Sequence, residues 1–247
     1  MTKNNDPQSL LVTVHEPLSL DWNEDKLVIE KAAGQPTPAD EYYNLARAIH
    51  ALFDNLTYGT AAQPKHPQRK GLLRKVHDEL YPIAHFANLY FKIPKNVVIQ
   101  WVDGNQQHDA IVKYMGEGSN QSDIRFLEVT TLQGKEDFDE LKELSENPNL
   151  TMMVNGSAQE KHSKKIEQLT RVLKKKSKIH YPENTALLVY TDEERFRQFY
   201  FGVSPPTIDK KSDYQAAFHA LAPSLKNFSH VFIFSKSEIY SAWTSGS

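Results

Sequence analysis

The spacing of apolar residues divides the chain into a helical first part and a β-rich middle. From residue 40, Tyr43, Ala46, Ile49 and Phe53 recur at helical spacing, and Pro38-Ala39-Asp40 supplies a start signal. A second helix carries Leu72, Val76, Leu80 and Ile83 three or four residues apart. Pro82 lies inside that run and predicts a kink or break, because proline lacks an N–H and its ring collides with the carbonyl four residues back. The pattern resumes through Phe86 and Tyr90 and stops before Pro94.

The period then changes. Residues 96–102, 108–114 and 123–130 are β-rich and are separated by turn signals at Asp103-Gly104-Asn105 and at 116–120. Three short strands joined by tight turns predict an antiparallel meander. A polar stretch contains a short helix candidate around Phe138, Leu141 and Leu144. A long helix over 157–179 presents the stripe Ala158, His162, Ile166, Leu169 and Leu173. The apolar run 186–190 reads as a buried strand. A helix near 213–225 and strands at 230–234 and 238–243 complete the order. The first 40 residues hold Pro7, Pro17, Pro36 and Pro38, with short strand candidates at 12–14 and 26–29. They read as an N-terminal extension (1–40) packing on a single mixed α/β domain (41–247).

Composition narrows the chemistry. With 247 residues and 39% hydrophobic content, the chain can bury one substantial core. It has no cysteine, which removes disulfides, zinc ribbons, iron–sulfur sites and thiol catalysis together. A net charge of -2 excludes a globally basic nucleic-acid binder but leaves room for a local basic face. The helix over 157–178 supplies one, with seven Lys and one Arg against two Glu. The polar N-terminus lacks a signal-peptide core, and no apolar run approaches the roughly 18–20 residues of a membrane span. The expectation is a cytoplasmic protein without membrane contact. No P-loop, strand–GxGxxG–helix, G-x-S-x-G or H-E-x-x-H motif occurs.

The meander holds the candidate site. In 123–130 alternate residues share a face, so Ile124, Phe126, Glu128 and Thr130 point one way and Arg125, Leu127, Val129 and Thr131 the other. Both faces are partly apolar, which predicts a central strand with Glu128 flanked by packed surface. A hairpin pivoting at Gly118-Ser119 sets Asp109 opposite Glu128. Facing residues of such a pair have Cβ atoms about 4.5–5.5 Å apart. Two carboxylates that close repel, and a hard divalent cation such as Mg²⁺ removes the penalty. A shift of register by a residue or two would separate them.

These residues resemble a known family. A strand beginning with Asp109, a hairpin, Glu128-Val129-Thr130 on the next strand and a long basic helix after it are similar to the core of the PD-(D/E)XK nuclease superfamily. The resemblance covers roughly residues 69–190 and implies a restriction endonuclease-like fold: a mixed central sheet with an antiparallel three-strand meander, flanked by helices. It implies Mg²⁺- or Mn²⁺-dependent hydrolysis of phosphodiesters in DNA or RNA, with Asp109, Glu128 and the Val129 carbonyl holding the ion. Glu79 is the candidate for a further acid on the preceding helix, and a homodimer is the expected assembly for cutting two strands. Thr130 stands where the family carries lysine. Lys113, on the face of Asp109, or Lys161, Lys164 or Lys165 on the following helix would have to replace it. Without a replacement, the same fold would serve as a nucleic-acid- or protein-binding module.

Plainer readings stand beside these. Glu128 also reads as a solvent-facing carboxylate, Asp109 as a turn cap and Thr130 as a β-branched strand residue. The basic helix also reads as a solvated face. As a phosphate-tracking surface it would be extended by Arg69, Lys70, Arg74 and Lys75. The aromatic run Phe196, Phe199, Tyr200 and Phe201 would either stack bases or pack in a core or interface. A third reading is an unrelated α+β interaction protein whose acids are incidental.

Overall fold

The computed structural model describes residues 22–55, 71–115, 123–132, 158–191 and 208–245. The strand candidate 12–14, the turn at 116–120, the short helix around Leu141, the aromatic run at 196–201, and Arg69 and Lys70 lie outside the described residues.

Seven strands form one mixed sheet whose spatial order follows the chain. They are β1 (Thr37–Pro38), β2 (Val97–Trp101), β3 (Ala110–Tyr114), β4 (Phe126–Thr131), β5 (Thr185–Tyr190), β6 (His230–Phe234) and β7 (Ile239–Thr244). Strands β1 to β4 are antiparallel neighbours, β4, β5 and β6 run parallel, and β7 returns antiparallel. The expected meander is therefore one half of a larger mixed sheet.

Helices cover both faces. On one side lie α1 (Trp22–Ala33), α2 (Ala39–Asn55), α3 (Gly71–Lys75) and α4 (Tyr81–Tyr90). On the other lie α5 (Ala158–Lys176) and α6 (Lys210–Leu221). The two parallel steps explain this division. Each needs a crossover helix, and crossovers of one hand between consecutive strands deposit both helices on the same face. Strand β5 alternates between the layers. Ala186, Leu188 and Tyr190 join the core under α2 and α4, and Leu187 and Val189 join the core under α5 and α6. All six of its residues are buried, as the unbroken apolar run predicts.

Two local readings change. Residues 26–29 belong to helix α1, not to a strand. Ile29, Ala32 and Ala33 are its buried apolar residues and Asp25 is buried beside them, a spacing of three and four that a helix gathers onto one side. The break expected at Pro82 is a π-helical turn, Val76–Leu80, between α3 and α4. Tyr81 N–H donates to Val76 O, five residues back. That pattern skips the His77 carbonyl that an α-helical Tyr81 N–H would meet, one residue before Pro82, which has no N–H to give to Asp78 and whose ring crowds that carbonyl. At the sheet edge, Pro38 in the two-residue strand β1 blocks further pairing. Among the described residues no helix is long and apolar enough to cross a membrane.

Candidate functional site

The register of β3 on β4 brings the two predicted acids together. Ala110 faces Leu127 and Ile111 faces Phe126, and Asp109 lies one residue beyond the last pair, near enough for the charge of Glu128 to raise its pKa. Ala110, Leu127 and Val129 enter the core on the α4 side. By alternation Glu128 points to the α5 side, where it meets Lys176. Strand β3 begins at Ala110, whereas β4 continues to Thr131, so the ladder between them opens here. Asp109 spans the opening: its Oδ2 accepts from Val129 N–H at 2.7 Å, and its own N–H donates to Leu127 O at 2.7 Å. In a strand the N–H and C=O of one residue point to the same edge, so the Val129 carbonyl also faces the opening.

Glu128 is 9% exposed and forms a salt bridge through Oε1 with Lys176 Nζ, from the last turn of α5. A cation on that side makes its burial tolerable. Asp109 has no such partner among the described residues. Burial, then the nearby charges of Glu128 and Glu79, push its carboxyl up to about 7, against smaller lowering effects of the Val129 N–H and Lys176. Glu79 comes from the π-helical turn and accepts from Trp101 Nε1 at 2.8 Å. Its carboxyl is also raised by burial, and the Trp101 bond and Lys75 oppose the shift.

Two buried tyrosines feel the charge of these acids. Tyr42 of α2 is 1% exposed, and Tyr181, in the segment between α5 and β5, is 4% exposed. Neither hydroxyl has a hydrogen-bond partner among the described residues. Burial raises both phenols further above their ordinary range. For Tyr42 the charges of Glu79 and then Asp109 add to the shift, and for Tyr181 those of Glu128 and then Asp109. His108 lies at the rim with its ring 4.7 Å from that of Phe126; burial lowers its pKa and Glu128 pulls it back up.

The lysines expected near the acids are dispersed. Lys113 is exposed on β3 opposite Val98, four residues beyond Asp109. Lys165 donates to the Leu132 carbonyl at the far end of β4, Lys161 is half-buried on α5 and Lys164 is exposed there. Thr130, half-buried, lies opposite Val189. Arg74 pairs with Asp78 at 3.1 Å and Lys75 with Asp103. The lysine that meets Glu128 is Lys176, which the sequence reading passed over. Its signal was present: Lys176 falls seven residues after Leu169 and three after Leu173, both fully buried, and so continues the stripe facing the sheet. The tyrosine hydroxyls had no comparable signal, because both rings read as ordinary core.

Among the described residues no group of three His, Asp or Glu side chains is close enough to hold a cation. What is present is a two-carboxylate set, Asp109 and Glu128, with the Val129 carbonyl beside it. All are hard oxygen donors, and Mg²⁺ commonly takes one or two carboxylates and keeps water in its other positions.

One consequence is measurable without any ligand. The folded state holds a proton on Asp109 up to about pH 7, whereas an unperturbed aspartate loses it near 3.8. The folded chain therefore binds more protons between those limits, and stability falls as pH rises through the window. The expected cost at pH 8 is roughly 4 kcal/mol. Asp109→Asn removes this slope, so urea unfolding of the variant should show it more stable than wild type at pH 8 and nearly equal at pH 4. Equal pH dependence in both proteins would sink the assignment.

No family model, no curated protein and no solved structure matches this chain.

Proposed function

We propose that the protein is a Mg²⁺- or Mn²⁺-dependent nuclease of restriction endonuclease-like architecture. The observation that carries this reading is the meeting of Asp109, Glu128 and Lys176 where β3 and β4 part. The element order supports it: helix, three antiparallel strands, a basic helix, then a strand parallel to the third. Asp109 and Glu128, with the Val129 carbonyl, would hold the ion. When bound, it lowers the pKa of a water and neutralises charge on the scissile phosphate. Lys176 takes the place of the lysine absent at Thr130, orienting that water or accepting its proton, and Thr130 offers only a hydroxyl. Lys161, Lys164, Lys165, Arg171, Lys174 and Lys175 of α5 supply charge for tracking a phosphate backbone, and Arg74 and Lys75 lie on the helix leading to Glu79. The substrate is DNA or RNA, and a homodimer would allow both strands of a duplex to be cut.

A second reading is a binding module without chemistry. Thr130 at the lysine position and the lack of a third carboxylate within ligating range among the described residues favour it. Calorimetric titration with Mg²⁺ and Mn²⁺, run beside plasmid-nicking and RNA-cleavage assays, separates the two. The nuclease predicts one cation bound per chain, metal-dependent cleavage and a steep loss of substrate affinity with salt. Nucleic-acid binding without cleavage would select the module. No heat with either cation and no nucleic-acid binding would remove both.

A further inference from the structure

The two cores treat the faces of β2, β3 and β4 differently. Toward α4 these strands are packed: Val97, Ile99, Val112 and Leu127 belong to the core there. Toward α5 their alternate residues Val98, Gln100, Ile111, Lys113 and Phe126 belong to neither core and are half-buried or exposed. Topology is the cause, since both crossover helices serve the parallel strands β4 to β6 and lie over that half of the sheet. The pairings Gln100–Ile111 and Ile111–Phe126 set three of these side chains in one row across the strands, and Val98 with Lys113 forms a second row two residues along. The His108 ring lies 4.7 Å from that of Phe126. Glu128 points from the same face, two residues after Phe126. Helix α5 walls this floor along β4, bonded at one end through Lys176 to Glu128 and at the other through Lys165 to the Leu132 carbonyl. Val98, Ile111 and Phe126 thus make a partly exposed apolar patch across three strands, a feature that marks binding surfaces.

We propose that this floor binds single-stranded DNA, with a base stacked on the Phe126–His108 pair and the backbone held between Lys113 and α5. The inference rests on the nuclease reading for its chemistry and names an unpaired strand as the substrate. Three features select that occupant. A duplex presents phosphates and base edges, and only an unpaired strand offers the faces of its bases to an aromatic pair. Positive charge borders the floor, with Lys113 on it and Arg171, Lys174 and Lys175 exposed on α5, which suits a polyanion. The floor itself is mostly apolar, so a ribose 2′-hydroxyl would find few partners there and deoxyribose fits it better. A base on Phe126 lies two residues along β4 from Glu128, which sets the adjoining phosphate beside the acids.

The test uses the full chain in EDTA, so that no cleavage intervenes, with fluorescent oligo(dT), oligo(U) and a DNA duplex of equal length as probes. Wild type should bind oligo(dT) most tightly of the three. Phe126→Leu keeps an apolar side chain and deletes the ring. It should weaken oligo(dT) binding about 5- to 150-fold with the salt dependence unchanged. Lys113→Gln should instead lower affinity and reduce the salt slope by about one. A strand carrying 5-iodouracil, photo-cross-linked to wild type, should attach to Phe126 or His108, which decides the matter even if Phe126→Leu fails to fold. Tighter binding of the duplex or of oligo(U), adducts only elsewhere, or a folded Phe126→Leu that binds like wild type overturns the inference and leaves the nuclease reading standing. A wild type that binds none of the three probes overturns both.

Discussion

Glu128→Gln should lower metal-dependent cleavage at least about 10³-fold while the protein stays folded. The argument is electrostatic. Glutamine keeps the volume and one carbonyl oxygen, so the packing between β4 and α5 changes little. It loses the negative charge that a divalent cation needs from one of only two carboxylates in reach. It also leaves the Lys176 ammonium, now 21% exposed on its side chain, without its counter-ion. Asp109→Asn should act in the same direction on cleavage, through the other ligand. The two differ in stability: Asp109→Asn relieves a carboxyl already held near its neutral form, whereas Glu128→Gln breaks a formed ion pair. Cleavage rates together with urea midpoints at pH 8 check both. Retained cleavage by Glu128→Gln would end the two-carboxylate mechanism.

Lys176→Met should separate binding from turnover. Methionine preserves the aliphatic stem but not the ammonium, so cleavage should fall about 10²- to 10³-fold, the range of a positioned acid–base group. Cation affinity should move the other way. Lys176 and the cation compete for Glu128, and removing the lysine frees the carboxylate. Tighter Mg²⁺ binding with slower cleavage would be hard to obtain from general loosening of the fold. Adding Thr130→Lys to Lys176→Met returns an ammonium to the face of Glu128, two residues along β4, and should recover part of the lost rate. If Lys176→Met cleaves as fast as wild type, the lysine serves only to neutralise Glu128.

The acid pair was legible because a hairpin obeys local rules. Alternation gave the face of Glu128, and a symmetric pivot suggested Asp109 as its partner, which lies one residue beyond the last observed pair. The observed pairs Ala110–Leu127 and Ile111–Phe126 lie in the register that pivot requires. The surrounding sheet was legible in its order but not its extent, since the pairing of β5 with β6 and of β6 with β7 depends on contacts between distant segments. Helix α2 shows how a correct period can carry a wrong phase. Tyr43 was expected on the buried stripe, yet Tyr42 is the buried ring and Tyr43 only packs against the core. Both tyrosines are apolar enough to satisfy the pattern, and only tertiary packing chooses between them. Lys176 was missed for a related reason: in a run of three consecutive lysines, charge conceals which one faces inward. Residues 26–29 misled because Leu27, Val28 and Ile29 are a short apolar run that suits a strand as well as a helix.

The π-helical turn before Pro82 also answers a mismatch of phase. Leu72, Val76, Leu80 and Ala84 are all buried at a strict spacing of four. In a regular α-helix each such step overshoots a full revolution by about 40°, so four residues spaced this way would spiral off the core. One widened revolution cancels the accumulated drift and keeps the whole row inward. Glu79 lies within that widened revolution, so the correction that seats the row also sets the angle at which this acid meets the Trp101 indole. A one-residue deletion there would rotate the acid and the row together, which ties the fit of the core to the aim of the site.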